Sequence, residues 1–326
     1  MTELFDIIKP NKIGIFAGGN SSESEISLKS GTAVFDVLKA SGLDCEFFNV
    51  EEDSLEVLIA GIDIDVAFIA LHGKLGEDGV IQRLFENRRI PYTGSGPEAS
   101  ALALDKITSK NKFKEIGLVV PEHILVNETD DVLTLNIEYP CVIKPRNEGS
   151  SVGVSIVSSQ DSFRDSIKNA FQFGKEIMLE QFISGRELTV GILNDRALPV
   201  VEVIAANGIY DFNAKYKSNE TRYLVPAELS AECTRRVKET AVKAHEILGC
   251  RHFSRVDLIL SEDEKIFVLE VNTIPGLTQR SLLPLAAKEA GLDFFSLCAN
   301  MLIGALGEKN SVFEQKNYAE ANRRIM

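Results

Sequence analysis

The strongest constraint on this chain is a pair of apolar runs, RVDLIL at 255–260 and IFVLEVN at 266–272, joined by the polar stretch Ser261-Glu262-Asp263-Glu264-Lys265. Runs rich in Val, Ile, Leu and Phe on either side of a short polar segment read as a β-hairpin. A turn centred between Asp263 and Glu264 sets Asp257 opposite Glu270, Arg255 opposite Asn272, Val256 opposite Val271, Leu258 opposite Leu269 and Leu260 opposite Phe267. Sliding either strand by one residue would move apolar side chains into the polar layer, so the pattern defends its own register. Directly opposed carboxylates, with Cβ atoms about 4.5–5.5 Å apart, repel unless a cation lies between them. Magnesium takes hard oxygen ligands, usually one or two carboxylates beside phosphate oxygens, and fits the set Asp257, Glu270 and the Asn272 amide. The competing reading is a carboxylate pair neutralised by Arg255 in a partly buried network.

A formal net charge of −13, with no lysine- or arginine-rich block, argues against a nucleic-acid partner. An acidic chain that binds an anionic nucleotide must therefore gather its cations locally. The opening MTELFDIIKP has no basic segment leading into an apolar one, and no run approaches the roughly 18 apolar residues of a membrane span. A soluble, cytoplasmic protein is expected. The cysteines (Cys45, Cys141, Cys233, Cys250, Cys298) are odd in number and lack C-x-x-C spacing, which fits unpaired thiols in a reducing compartment. The scattered histidines give no zinc pattern.

At 326 residues the chain has room for two or three domains. Its first third alternates strand and helix signals: a strand at 12–17, the turn Gly18-Gly19, a helix with Val34, Val37 and Leu38 on one face, a strand at 65–71 and a helix near 80–87. That alternation implies a parallel sheet covered by helices. The Pro/Gly-rich segment 91–97 leads into an expected helix over 98–116. From Tyr139 the reading becomes strand-loop-strand, then a helix around 161–173 and strands at 177–182 and 187–194. Three units follow: 1–105, 106–190 and 191–326. The polar tail from Gly307 is expected to be a short helix or disordered, with no function assigned.

Lys144 ends an apolar strand and precedes Glu148-Gly149-Ser150-Ser151-Val152-Gly153, after which the chain returns to a strand. Such a loop offers backbone N–H groups and hydroxyls to phosphate oxygens without side-chain obstruction. It lacks G-K-[ST] and is not a Walker A loop; the alternative is a flexible turn over solvent. Glu180-Gln181-Phe182-Ile183 ends the next strand and Glu187 follows a turn. This strand end suits backbone contacts to an adenine edge, with a carboxylate for ribose hydroxyls, or else is an exposed acidic end.

The blocks GGNSSESEISLKSG (18–31), LHGKLGEDG (71–79), PYTGSG (91–96), LDK (104–106), VIKPRNEGSSVG (142–153), YDFNAKY (210–216), RVD (255–257) and LEVNTIPGLTQRSLLP (269–284) resemble the D-alanine:D-alanine ligases of the ATP-grasp superfamily over nearly the whole chain. The resemblance implies an N-terminal parallel α/β substrate-binding domain (1–105), then a two-lobed ATP-grasp fold with a small central lobe (106–190) and a C-terminal lobe (191–326). It also implies ATP-dependent joining of two D-alanines through a D-alanyl phosphate, for peptidoglycan precursors. Lys106, Lys144, Ser151 and Lys215 would then hold the phosphates. Glu180, Gln181, Ile183 and Glu187 would hold the nucleoside, with Gln181 standing where some members have lysine. Asp257, Glu270 and Asn272 would hold two magnesium ions, or manganese. Glu23 would hold the first ammonium, closed over by Ser150 and Tyr216 in a mobile loop at 210–223. His72 would lie near the first substrate. Arg255 and the Gly276 N–H would steady the oxyanion, and Ser281 and Leu282 would receive the second carboxylate. A homodimer is implied too.

Independently of the resemblance, Glu23 suits a helix N-terminus, His72 suits a packed strand end, and 210–223 suits an ordinary surface loop. Two other functions compete with the main one. A ligase for D-lactate or D-serine shares the fold, and Tyr216 argues against D-lactate. A silent nucleotide-binding regulator would be expected to lack a metal ligand or a phosphate lysine, and none is missing. GGNSSES lacks G-x-G-x-x-G, which sets aside a nicotinamide oxidoreductase.

Overall fold

The computed structural model describes residues 2–130, 132, 137–205 and 220–307. Lys215, Tyr216, most of the expected closing loop and the tail beyond Gly307 lie outside the described residues.

Strands Ile13–Gly18 (β1), Cys45–Val50 (β2) and Val66–Ile69 (β3) form a parallel sheet in the order β2-β1-β3. Every residue of β1 is buried, because it is the middle strand. Helix Ser24–Ala40 buries Val34 and Leu38 against this sheet, as their spacing predicts. The same core takes in Leu283, Leu297 and Met301 from the late helices Leu282–Glu289 and Phe294–Ala305. The last helices thus help to cover the first sheet, which no local pattern announces.

Strands His123–Asn127 (β4), Cys141–Pro145 (β5), Ser155–Val157 (β6) and Glu176–Gln181 (β7) form an antiparallel sheet in the order β4-β7-β5-β6. Helix Gln160–Phe171 covers it through Phe163, Ile167 and Ala170. The largest sheet contains Gly185–Leu193 (β8), Arg196–Ala197 (β9), Val201–Ile204 (β10), Arg222–Leu224 (β11), Phe253–Ser261 (β12) and Ile266–Asn272 (β13). Helix Ala231–Ile247 packs Val237, Ala241 and Ala244 under it. Ser230 caps that helix by accepting from the Cys233 N–H at 3.1 Å, an interaction worth about 1 kcal/mol.

Two sequence expectations are corrected. The single helix expected over 98–116 is two, Pro97–Leu104 and Lys106–Glu115, because Asp105 is extended and its carboxylate accepts from the N–H groups of Ile107 and Thr108. The hairpin is the second case. Asp257 faces Glu270, Arg255 faces Asn272 and Val256 faces Val271 as expected, but a bulge then shifts the register, so Leu258 faces Val268 rather than Leu269, and Leu260 faces Ile266 rather than Phe267. The extra residue puts Leu269 and Glu270 side by side on one cleft while Val268 and Val271 stay in the core.

Candidate active site

The site is built from strand ends. After β1 the chain turns through Gly18 and Gly19, both at positive φ, where L side chains are strained. It then starts helix Ser24–Ala40 with Glu23 at its N-cap, 5% exposed. Ser27 fixes this corner, accepting from Gly18 N–H at 2.8 Å and donating to Ala70 C=O at 2.8 Å. The loop between β5 and β6 comes down on Glu23. Ser150 and Ser151 adopt left-handed backbone (φ 47 and 59), and the Ser150 hydroxyl donates to the Glu23 carboxylate. Gly149 lies against the same group: a Cβ there would stand 2.5 Å from Oε2.

His72 has both ring nitrogens engaged. A carbonyl can only accept, so the contact from Nδ1 to Ile274 O at 2.9 Å puts the proton on Nδ1. Nε2 therefore accepts from the Ser30 hydroxyl at 3.0 Å, and Ser30 Oγ in turn accepts from the Leu277 N–H at 3.1 Å. Burial lowers the His72 pKa although Glu23 opposes the shift, so the ring is neutral. His72 is packed, as one reading of the sequence had it, and it also lines a cavity. Its bonds hold the 274–277 loop, which carries Gly276.

That cavity is lined by Glu23, His72, Ser150, Arg255, Asn272, Gly276, Ser281 and Leu282. It also includes Glu77 and Arg280, which the sequence reading did not single out although both lie inside its matched blocks. Glu77 accepts from Gly73 N–H at 2.8 Å and Ile274 N–H at 3.2 Å. Burial, then the charge of Glu23, raises its carboxyl to about 8. Ser281 precedes helix Leu282–Glu289 and accepts from the Thr278 N–H at 3.0 Å, closing the turn beside Gly276.

A second cleft, of about 570 Å³, lies between the two antiparallel sheets. Lys106, Lys144, Ser151, Glu180, Gln181, Ile183, Glu187, Asp257 and Glu270 line it, with Val142, Ile156, Ile259 and Leu269 as apolar walls. Lys106 is 6% exposed; its Nζ donates to Glu148 C=O and lies 3.6 Å from Glu270. Lys144 Nζ is 2.6 Å from Glu180 Oε1. Glu180 is no exposed strand end: it is 4% exposed and its other oxygen faces Lys110 at 2.8 Å. Both Glu180 oxygens are thus taken up by lysines, and Glu187 is a second carboxylate lining the same cleft.

The two cavities meet across β12 and β13, Arg255 and Asn272 on one side and Asp257 and Glu270 on the other. Asp257 takes 2.9 and 2.8 Å bonds from Arg255, 3.0 Å from Asn272 Nδ2 and 2.6 Å from Thr189 Oγ1. Arg255 neutralises Asp257, as the competing reading had it. Asn272 spends its nitrogen on Asp257, which leaves its amide oxygen as the group to offer a cation. Among the described residues no cluster of three His, Cys, Asp or Glu side chains is set to hold a metal alone. Two carboxylates and an amide oxygen instead fit an ion that takes its remaining ligands from phosphate and water.

The chain matches known proteins over most of its length. The sequence model of the D-ala D-ala ligase C-terminus matches residues 113–303, and that of the N-terminus matches 53–95. The D-alanine--D-alanine ligase of Geotalea uraniireducens is 46% identical over 302 residues, covering 92% of this chain and 97% of that one. The crystal structure of D-alanine--D-alanine ligase from Bacillus anthracis superposes with a TM-score of 0.80 at 33% identity, covering 91% of this chain and 98% of that one. The ATP complex of that enzyme gives 0.78 at 30% identity, covering 92% and 98%. The parallel first sheet, the paired antiparallel sheets and these similarities agree: the chain belongs to the D-alanine:D-alanine ligase family of ATP-grasp enzymes.

Proposed function

We propose that this protein joins two D-alanines at the expense of ATP, giving D-alanyl-D-alanine, ADP and phosphate, with the residues of the two cavities in the following roles. The observation that carries this reading is the junction itself: a nucleotide-sized cleft lined by lysines opens onto a small polar cavity across Asp257, Glu270, Arg255 and Asn272.

A carboxylate has no good leaving group, so it must be activated before an amine can attack it. A carboxylate oxygen of the first D-alanine attacks the γ-phosphorus, the bond to the bridging oxygen breaks, and ADP departs. The second amine then attacks the acyl carbon, phosphate leaves and the nitrogen loses its proton. Lys106, Lys144 and, from outside the described residues, Lys215 neutralise the phosphates, with Ser151 beside them in the loop. Gln181, Ile183 and Glu187 hold the nucleoside, Glu180 acting through Lys144. Glu23 holds the first ammonium, with Ser150 and Tyr216 closing over it. Arg255 and the Gly276 N–H meet the oxyanion, and Ser281 and Leu282 receive the second carboxylate. Asp257, Glu270 and Asn272 would hold magnesium, which when bound offsets the charge on the phosphate oxygens.

No described helix is long and apolar enough to cross a membrane; a cytoplasmic homodimer with domains 1–105, 106–190 and 191–326 is part of the same proposal. The test is an assay with ATP, Mg²⁺ and D-alanine, D-serine or D-lactate supplied singly and in pairs, with phosphate and coupled product both measured. D-alanine alone should give matched phosphate and dipeptide. Phosphate without dipeptide would reject the ligase reading, and a preference for D-lactate or D-serine as second substrate would reassign it.

A further inference from the structure

Lys110 has no place in the reaction described above, yet it is fully buried, on helix Lys106–Glu115, behind the wall of the nucleotide cleft rather than in it. A lysine rarely tolerates that position unless paired. Its Nζ pairs with Glu180 Oε2 at 2.8 Å, a buried ion pair. The other oxygen of the same carboxylate takes a 2.6 Å hydrogen bond from Lys144. One buried carboxylate thus serves two lysines, one facing the cleft and one behind it.

Charge balance gives this arrangement a consequence. Lys144 and Glu180 alone would make a neutral buried pair, and a lysine so tied has little net charge to offer an anion. With Lys110 the group carries a net positive charge, and Glu180 keeps a counter-ion when Lys144 turns to a phosphate. Burial lowers Lys110 to about 8 against the pull of Glu180, so it stays cationic near neutral pH. Burial would raise the Glu180 carboxyl, but the charges of Lys144 and Lys110 outweigh it and hold the group ionised.

We infer that Lys110 is a positioning residue for nucleotide binding: it balances Glu180 from behind and so releases the charge of Lys144 toward the triphosphate. This rests on the reading of Lys144 as a phosphate ligand. The experiment is calorimetry of ADP and of a non-hydrolysable ATP analogue with Mg²⁺, on the full chain carrying Lys110→Met, Lys110→Arg, Glu180→Gln, the pair Lys110→Met with Glu180→Gln, and Lys144→Met, with melting temperatures for each.

Lys110→Met should weaken analogue binding roughly ten- to a hundredfold, as expected when one member of a buried charge set is lost. Lys110→Arg should restore most of it. Adding Lys110→Met to Glu180→Gln should cost almost nothing further, because the charge to be balanced is already gone. Equal losses from Lys110→Met in both backgrounds would mean a packing role and overturn the inference. So would unchanged affinity in Lys110→Met while Lys144→Met binds weakly. Unchanged affinity in Lys144→Met would instead overturn the reading of the cleft on which the inference stands.

Discussion

Ser150 donates its hydroxyl hydrogen to the Glu23 carboxylate, joining two loops 127 residues apart in the chain. Ser150 does so from left-handed backbone, φ 47, a conformation L-residues adopt at some cost. The bond therefore holds the glycine- and serine-rich loop down on the amino-acid cavity. A hydrogen bond to a charged group contributes about 1.5–3 kcal/mol. Ser150→Ala should accordingly lower kcat/KM for D-alanine about ten- to a hundredfold. Because the bond already exists in the free protein and Ser150 is buried, the melting temperature should fall by a few degrees as well. Steady-state kinetics and thermal melts check both; a drop in stability with unchanged kinetics would make the contact purely structural.

The Asp257–Glu270 pair predicts a metal response. Asp257 now bonds Arg255, Asn272 and Thr189, and Glu270 has Lys106 at 3.6 Å. A divalent ion with nucleotide should stabilise the fold by mass action, by about 2.7 kcal/mol at a hundred times its dissociation constant. Glu270→Gln should keep the fold, abolish phosphate release and remove most of that rise in melting temperature. Melts with and without Mg²⁺ and ADP, beside a phosphate assay, decide it; near-normal turnover in the variant rejects the assignment.

The hairpin also shows how far the sequence could be read. Alternation of Val256, Leu258 and Leu260 on one strand, with Val271 opposite Val256, locates the strands and the pairs next to the chemistry, because only one face can be apolar. The bulge is invisible in that pattern, since Leu269 reads as a core residue and yet faces the cleft. Lys110 is hidden for a different reason: four positions after Lys106 on a helix, it looks like a solvated side chain until Glu180 arrives from another strand. Glu77 and Arg280 lay inside quoted blocks, but nothing local tells a buried glutamate from a turn residue. Short-range patterning was legible; pairings set by tertiary packing were not.

His252 predicts an acid sensitivity. It holds φ 62, packs under Gly304 and accepts from the Gly94 N–H at 3.3 Å through Nδ1. Burial, then the nearby Arg251 charge, lowers its pKa to about 4, against the usual 6.5. The unfolded chain thus takes up a proton between these values while the folded one does not. Stability is fully present above pH 6.5 and falls as pH drops toward 4, by about 3 kcal/mol from this residue alone. His252→Asn, which tolerates left-handed backbone, should flatten that part of the profile in melts between pH 4.5 and 7.5. His245, also lowered by burial, should leave some slope; a wild-type slope in the variant removes His252 as the cause.

Asp105 links the same logic to the nucleotide cleft. It caps helix Lys106–Glu115 through Ile107 and Thr108 and takes 2.9 and 2.6 Å bonds from Arg146, which also reaches Glu176 at 2.8 Å. Burial would raise its carboxyl, but Arg146 and Thr108 outweigh it and bring it down to about 2 from 3.8. Its contribution is therefore present above pH 3.8 and lost as pH falls through 2. Asp105→Ala removes the cap and leaves Arg146 without two bonds, at a cost of about 2–3 kcal/mol. Because Lys106 is the next residue and points into the cleft, KM for ATP should rise about tenfold, with KM for D-alanine changed less. Asp105→Asn keeps the cap and loses the charge, so it should fall between wild type and Asp105→Ala in both measurements. If the Asn variant instead matched Asp105→Ala in KM for ATP, the ion pair of Asp105 with Arg146 rather than the helix cap would be what positions Lys106.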